Sequence, residues 1–181
     1  MANSFDESVF NFVVDHEPQW LVTVSEKLTL IGGTMAALAI ALATTVLLWG
    51  PSQRRLRRCL PILAVAVSAI VSRVVKGLFD RARPDSAARW FEYSVSSSSF
   101  PSGHATHVAA LAVSVFLLTF PRQKVVACLA LILGVAVGLT RLFLGVHWAS
   151  DVLAGWMLGA GCALGVAAVI RWRSKPTIVC E

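Results

Sequence analysis

Charge is what this sequence has least of. Only 14% of its 181 residues are Asp, Glu, Lys or Arg, where soluble globular domains carry about 25%. Hydrophobic residues make up 56%, and mean hydropathy is +0.71. The deficit is uneven: long runs have almost no charge at all. That excludes an ordinary soluble domain, because a chain this short cannot hide several apolar runs of near-spanning length. Acidic residues are scarcest, ten in all, and five of them fall within residues 1–27. The four cysteines, Cys59, Cys128, Cys162 and Cys180, form no C-x-x-C pair. Cysteine inside an apolar run behaves as a small hydrophobe, so no structural disulfide is expected. No basic region followed by an apolar stretch opens the chain, and its start does not read as a cleavable signal.

What charge there is has a pattern. The net charge is +6, yet the excess is not a basic soluble surface, so nucleic acid is not an expected partner. Arg54, Arg55, Arg57 and Arg58 form one block between apolar runs, Arg122 and Lys124 a second, and Arg171, Arg173 and Lys175 a third. Basic gaps of this kind mark cytoplasmic loops. The length fits one domain, and the apolar runs predict an all-α, multi-pass helical bundle in the cell membrane. Five spans are expected, over about 28–49, 60–79, 103–120, 125–143 and 150–170, each about the length that crosses a bilayer core. Residues 1–27 are expected to lie along the membrane surface as an amphipathic segment. Ser4 and Glu7 have capping-box spacing, and Phe5, Val9, Phe12 and Val13 recur at helical period. The divisions are then 1–27 interfacial, 28–171 transmembrane core and 172–181 cytoplasmic tail, with the N-terminus outside and the C-terminus inside.

Three polar islands interrupt the apolar background: KGLFDRARP at 76–84, PSGH at 101–104, and Thr140 and Arg141 through His147 to Asp151. The predicted topology places all three at the outer helix ends. Ionisable residues near lipid are costly, so such a cluster points to a functional site. The residue types suit an oxyanion. Arg offers a planar fork of donors and Lys a mobile point charge. Pro84 keeps Arg83 on extended chain. Backbone N–H groups around Ser102, Gly103 and His104 open a helix, a ready anion site. His147 and Asp151 are four apart on one helical face. A carboxylate on one ring nitrogen leaves the other as a nucleophile. His104, with no such partner nearby in sequence, suits the acid for a leaving oxygen. The chemistry implied is phosphoryl transfer through a phosphohistidine, then hydrolysis. His104 and His107 also form an H-x-x-H pair, but a metal site wants three or four ligands, so no metal or other cofactor is expected.

These islands resemble the type 2 phosphatidic acid phosphatase superfamily, which also contains the vanadium haloperoxidases. Its signature is K-x6-R-P, then P-S-G-H, then S-R-x5-H-x3-D. Lys76, Arg83 and Pro84 match the first part, Pro101 to His104 the second, and Arg141, His147 and Asp151 the third; Thr140 stands where Ser is usual. The resemblance implies His147 as nucleophile, Asp151 as its partner and His104 as acid. It implies Lys76, Arg83, Ser102, Gly103 and Arg141 as phosphate ligands, with no metal. Family members commonly have six spans, and here a surface helix stands in place of the first. The expected substrate is a lipid phosphate or diphosphate, of polyprenyl or phosphatidylglycerophosphate type, met in the bilayer. A non-catalytic scaffold or phosphate-binding relic is the competing reading. Gly134 and Gly138, and Gly155 and Gly159, have G-x-x-x-G spacing, which serves packing within the bundle or a homo-oligomer.

Overall fold

The structure is a computed structural model that describes residues 3–47, 55–84 and 98–174. The chain is helical throughout the elements that these residues form. Helix α1 (Ser4–His16) is capped by Asn3, whose side chain accepts the Asp6 N–H at 2.8 Å. The cap is therefore one residue earlier than the Ser4–Glu7 spacing suggested. Asp6 and Glu7 sit in its first turn and His16 in its last, each sign matching the helix dipole. Pro18 starts α2 (Gln19–Leu28), which tightens into a 3-10 turn at Thr29–Gly32 before α3 (Thr34–Leu47).

The first expected span is thus broken. The α2 segment and α3 are bent by 63° at the break. Two adjacent glycines, Gly32 and Gly33, disfavour continued helix. There is also a steric reason for Gly32: a Cβ there would stand 2.9 Å from both His104 Cδ2 and Val137 Cγ1.

A short turn, α4 (Arg55–Arg58), precedes α5 (Leu60–Leu78); then come α6 (Gly103–Thr119), α7 (Lys124–Phe143) and α8 (Ala149–Arg173). Among the described residues, α5, α7 and α8 are long and apolar enough to cross a membrane, and the bent pair qualifies as a fourth span. The 17-residue α6 is shorter. It packs against α3, α5, α7 and α8, so its neighbours cover it. The 25-residue α8 is about 37 Å long at 1.5 Å per residue and overshoots the expected fifth span at both ends.

Small residues fill the centre. Ala37, Ala41, Ala64, Ala110 and Ala163 are fully buried, while Ile70, Leu129, Ile132 and Met157 face outward. Large apolar residues outside and small ones inside is the arrangement of a bundle surrounded by hydrocarbon. Both G-x-x-x-G pairs are turned inward. A Cβ at Gly134 would meet Ala112, at Gly138 Trp156, at Gly155 Ser102 and Ala105, and at Gly159 Thr106 and Ala109. At the surface, α1 and α2 expose Phe5, Phe12, Trp20 and Val24, and bury Asp6, Val22 and Ser25. The expected stripe on α1 is therefore split: Val9 and Val13 turn inward with Phe10, against Leu142 and His147. Trp49 and the Trp90–Tyr93 segment lie outside the described residues.

Candidate active site

Every residue of the three islands lies at one end of the bundle. The C-terminus of α5 brings Lys76, the connector after it Arg81 and Arg83, and the N-terminus of α6 Ser102, Gly103 and His104. The C-terminus of α7 brings Arg141. Gly145, at φ 61°, then lets the chain reverse in the left-handed region that glycine adopts without penalty. Its N–H bonds Leu142 O at 2.8 Å and the Val146 N–H bonds Arg141 O at 3.2 Å. That reversal delivers His147 beneath α7, one turn before Asp151 at the start of α8.

His147 is 3% exposed and Asp151 fully buried. The ring meets Asp151, Arg83 and the Ser99 backbone. Nδ1 is 3.4 Å from Asp151 Oδ2, and Nε2 is 3.1 Å from Arg83 Nη1. A guanidinium only donates, so Nε2 carries the lone pair and Nδ1 the proton, directed at Asp151. Asp151 Oδ2 also accepts the Trp148 N–H at 3.0 Å. Burial, and then the charges of Arg141, Arg83 and Lys76, hold the His147 imidazole well below the usual histidine range. At neutral pH the ring is therefore uncharged, with the Nε2 lone pair turned to Arg83.

The cations and donors surround this ring. Arg83 Nη1 also donates to Val146 O at 2.7 Å, Lys76 Nζ to Ser98 O at 2.7 Å, and Arg141 Nη1 to Thr29 Oγ1 at 2.7 Å. Lys76 reaches toward Gly103, whose Cβ position would be 4.0 Å from Lys76 Cε. His104 stands within electrostatic reach of Arg141, His147 and Arg83. The Ser102 hydroxyl is buried with no hydrogen-bond partner, a costly state unless something fills the space beside it. The Ser102 N–H differs from the sequence expectation: it bonds Asp151 O at 3.0 Å. The amides left for an anion are those of the first turn after it, at Gly103 and His104, which have no intrahelical acceptor.

His107 is spent on structure, its Nδ1 3.3 Å from Gly32 O. Among the described residues no group of three His, Cys, Asp or Glu could hold a metal ion. Trp148 also clasps the site: Nε1 donates to Ala82 O at 2.8 Å and its ring meets Phe10 at 5.5 Å. The sequence reading missed three participants. Arg81 bonds Asp151 and Asp6, and the Ser99 hydroxyl also lies beside Asp151. Arg81 lies inside the first island, two residues from Arg83, and nothing in its spacing separates the two.

Comparison with known proteins agrees with the geometry. Residues 57–175 match the family model of the PAP2 superfamily. The chain is 30% identical over 169 residues to phosphatidylglycerophosphatase B of Bacillus subtilis (strain 168), covering 87% of this chain and 79% of that protein. It is 33% identical over 102 residues to an undecaprenyl-diphosphatase of Sulfolobus acidocaldarius, covering 55% of this chain and 48% of that one. Its fold superposes on the crystal structure of a transmembrane PAP2 type phosphatidylglycerolphosphate phosphatase from Bacillus subtilis with a TM-score of 0.79, at 27% identity, over 94% of this chain and 86% of that one. With the signature gathered at one bundle end and this match over more than half of its length, the chain belongs to the PAP2 superfamily and is a membrane phosphatase.

Proposed function

We propose that the protein hydrolyses the phosphate or diphosphate of a membrane lipid at the extracytoplasmic face, through a phosphohistidine on His147 and without a metal. The observation that carries this reading is the His147 ring itself, with Nδ1 on Asp151 and Nε2 facing a guanidinium. An anion entering beside it meets Arg83, Lys76, Arg141, the unpartnered Ser102 hydroxyl and the first-turn amides of α6. Arg83 transfers from Nε2 to a phosphate oxygen, and Nε2 attacks phosphorus. The phosphorus–oxygen ester bond breaks, and His104 gives the leaving oxygen its proton. Water then gives a proton back to His104 and attacks phosphorus, the phosphorus–nitrogen bond breaks with its electron pair returning to Nε2, and inorganic phosphate leaves. Preorganised cations stabilise the charge on the transferring group in both steps. The relatives named for phosphatidylglycerophosphate and undecaprenyl diphosphate support a lipid substrate, as does a site at the ends of membrane helices. The deciding experiment measures inorganic phosphate released from phosphatidylglycerophosphate, phosphatidic acid, undecaprenyl phosphate and diphosphate, and a soluble ester. Release from at least one lipid, lost in His147→Ala, is expected. Binding without release from any of them would leave the phosphate-binding relic.

The metal-free reading makes its own forecast. Chelators should leave phosphate release intact, and vanadate should inhibit by taking five-coordinate geometry at the phosphate position. Activity lost on chelation and restored by zinc would revive a role for His104 and His107 as ligands. The orientation is also testable. A tag after Glu181 should be cytoplasmic and a tag before Asn3 outside, because the basic gaps at Arg57 and Arg58, at Arg122 and Lys124 and at Arg171 and Arg173 favour the inner side. Protection of the N-terminal tag from protease in intact cells would invert the chain and put the site inside.

A further inference from the structure

Arg81 has no part in the chemistry above, yet its guanidinium is held by three side chains beside it. Its Nη1 donates to Asp151 Oδ1 at 2.6 Å and to Ser150 Oγ at 2.7 Å, and its Nη2 donates to Asp6 Oδ2 at 2.5 Å. Both carboxylates are fully buried, and the Arg81 side chain is 15% exposed. Asp6 is fixed in turn by the start of α8: Oδ1 accepts the Ser150 N–H at 2.8 Å and Oδ2 the Ser150 hydroxyl at 2.7 Å. Burial pushes the Asp6 carboxyl up, but the Ser150 and Arg81 hydrogen bonds outweigh it and hold the group below the usual range. Asp6 is thus an anion where it meets Arg81. The same helix also roofs the nucleophile. Val9, Phe10 and Val13 close over His147 and Leu142, leaving a gap too small for water.

We infer that Arg81 is a positioning residue, clamped between Asp6 of α1 and Asp151, that sets Asp151 and through it His147, so that α1 is a working part of the site. The argument is geometric. Asp151 Oδ2 is taken by His147 Nδ1 and the Trp148 N–H. The Ser99 hydroxyl is a further donor beside this carboxylate, but a single hydroxyl turns freely and does not fix the carboxylate in the plane of the imidazole. Arg81 holds the other oxygen, and a planar guanidinium fixes that plane as an ammonium cannot. Asp6 keeps the guanidinium from swinging away. Arg81 spends these donors on protein, so it is not offered to the phosphate as Arg83 is. It also shares the Asp151 charge. Without it, the full carboxylate charge bears on His147, and the imidazole binds its proton more tightly. The other charged or titratable groups facing His147 are Arg83 in the connector, Lys76 on α5, His104 on α6 and Arg141 on α7, and they are untouched by a change at Arg81.

The inference rests on the reading of His147 as nucleophile, and the experiment separates the two. Phosphate release is measured against pH with the full chain in lipid or detergent, together with vanadate inhibition, for the wild type, Arg81→Gln, Arg81→Lys, Asp6→Asn and His147→Ala. Arg81→Gln should lower kcat by about 10–100-fold, the scale of an ångström-sized misplacement. It should also move the acid limb of kcat/KM to higher pH and leave vanadate inhibition unchanged. Arg81→Lys should return the acid limb toward the wild type, because the charge is kept, with kcat still reduced. Asp6→Asn should act like Arg81→Gln but more weakly, and add nothing to it in the double variant. An acid limb that stays in place in Arg81→Gln reduces Arg81 to a structural contact and overturns the inference. Weakened vanadate inhibition would make Arg81 a phosphate ligand and overturn it equally, and an Asp6→Asn enzyme indistinguishable from the wild type would remove α1 from it. Should Arg81→Gln fail to accumulate, Arg81→Lys and Asp6→Asn carry the same comparisons. Activity retained in His147→Ala would sink the nucleophile reading, and the inference with it.

Discussion

His147→Ala is expected to lose phosphoenzyme formation on every substrate, with turnover falling by at least about 10⁴-fold, the scale seen when a nucleophile is removed. On the proposed mechanism His104→Ala removes only the acid. General acid catalysis is worth about 10²–10⁴-fold, and only where the leaving oxygen needs a proton. The His104 defect should therefore shrink on a nitrophenyl ester or a diphosphate, while the His147 defect does not. Asp151→Asn should fall between them, since the imidazole remains but its tautomer is no longer fixed. The pH profile gives a further check. Burial and three nearby cations lower the proton affinity of His147, so in the free protein the neutral, reactive form persists into acid. The acid limb of kcat/KM should lie below the usual histidine value of about 6.5. Turnover of the three variants on one alkyl and one activated phosphate measures all of this. Equal His104 and His147 defects on both substrates would mean that His104 holds the phosphate instead of protonating the leaving group.

Gly159→Ala should cost the fold more than any other conservative change in α8. A Cβ at Gly159 would stand 2.1 Å from the backbone carbonyl oxygen of Thr106, with Ala109 Cβ and Ala110 N both at 3.0 Å. Backbone cannot step aside as a flexible side chain can, so α8 must move away from α6. Overpacking of this kind costs about 1–3 kcal/mol, and here the upper end applies. The displacement also reaches the chemistry. Asp151 lies eight residues before Gly159 on the same helix, and its carbonyl bonds the Ser102 N–H across this interface. Lower thermal stability in detergent and reduced phosphate release should therefore appear together. Gly161 and Gly165 are the controls, for a Cβ at either meets nothing within 4 Å. Alanine there should be neutral or slightly stabilising, given its higher helix propensity. A Gly159→Ala protein as stable as Gly161→Ala would show that α6 and α8 are not packed this closely.

The sequence by itself determined a great deal here, because membrane constraints are local. A bilayer requires apolar runs of a set length and satisfies backbone groups within each helix, so α5 to α8 were legible within a few residues. The polar islands were legible for the same reason, since a charge in such a background needs an explanation. What the sequence could not give is which side of each helix turns inward. Lipid and protein interior are both apolar, and hydropathy does not separate them. Only the packed bundle turned Gly155 and Gly159 onto α6, split the α1 stripe between Val9 and Phe12, and broke the first span where Gly32 passes His104. Only the bundle distinguished Arg83 from Arg81, identical side chains two residues apart. One reaches the His147 ring, and the other joins Asp6 to Asp151 across separations of 75 and 70 residues. Contacts that distant leave no periodic trace in the chain. They are fixed by how the helices dock, which only the tertiary structure decides.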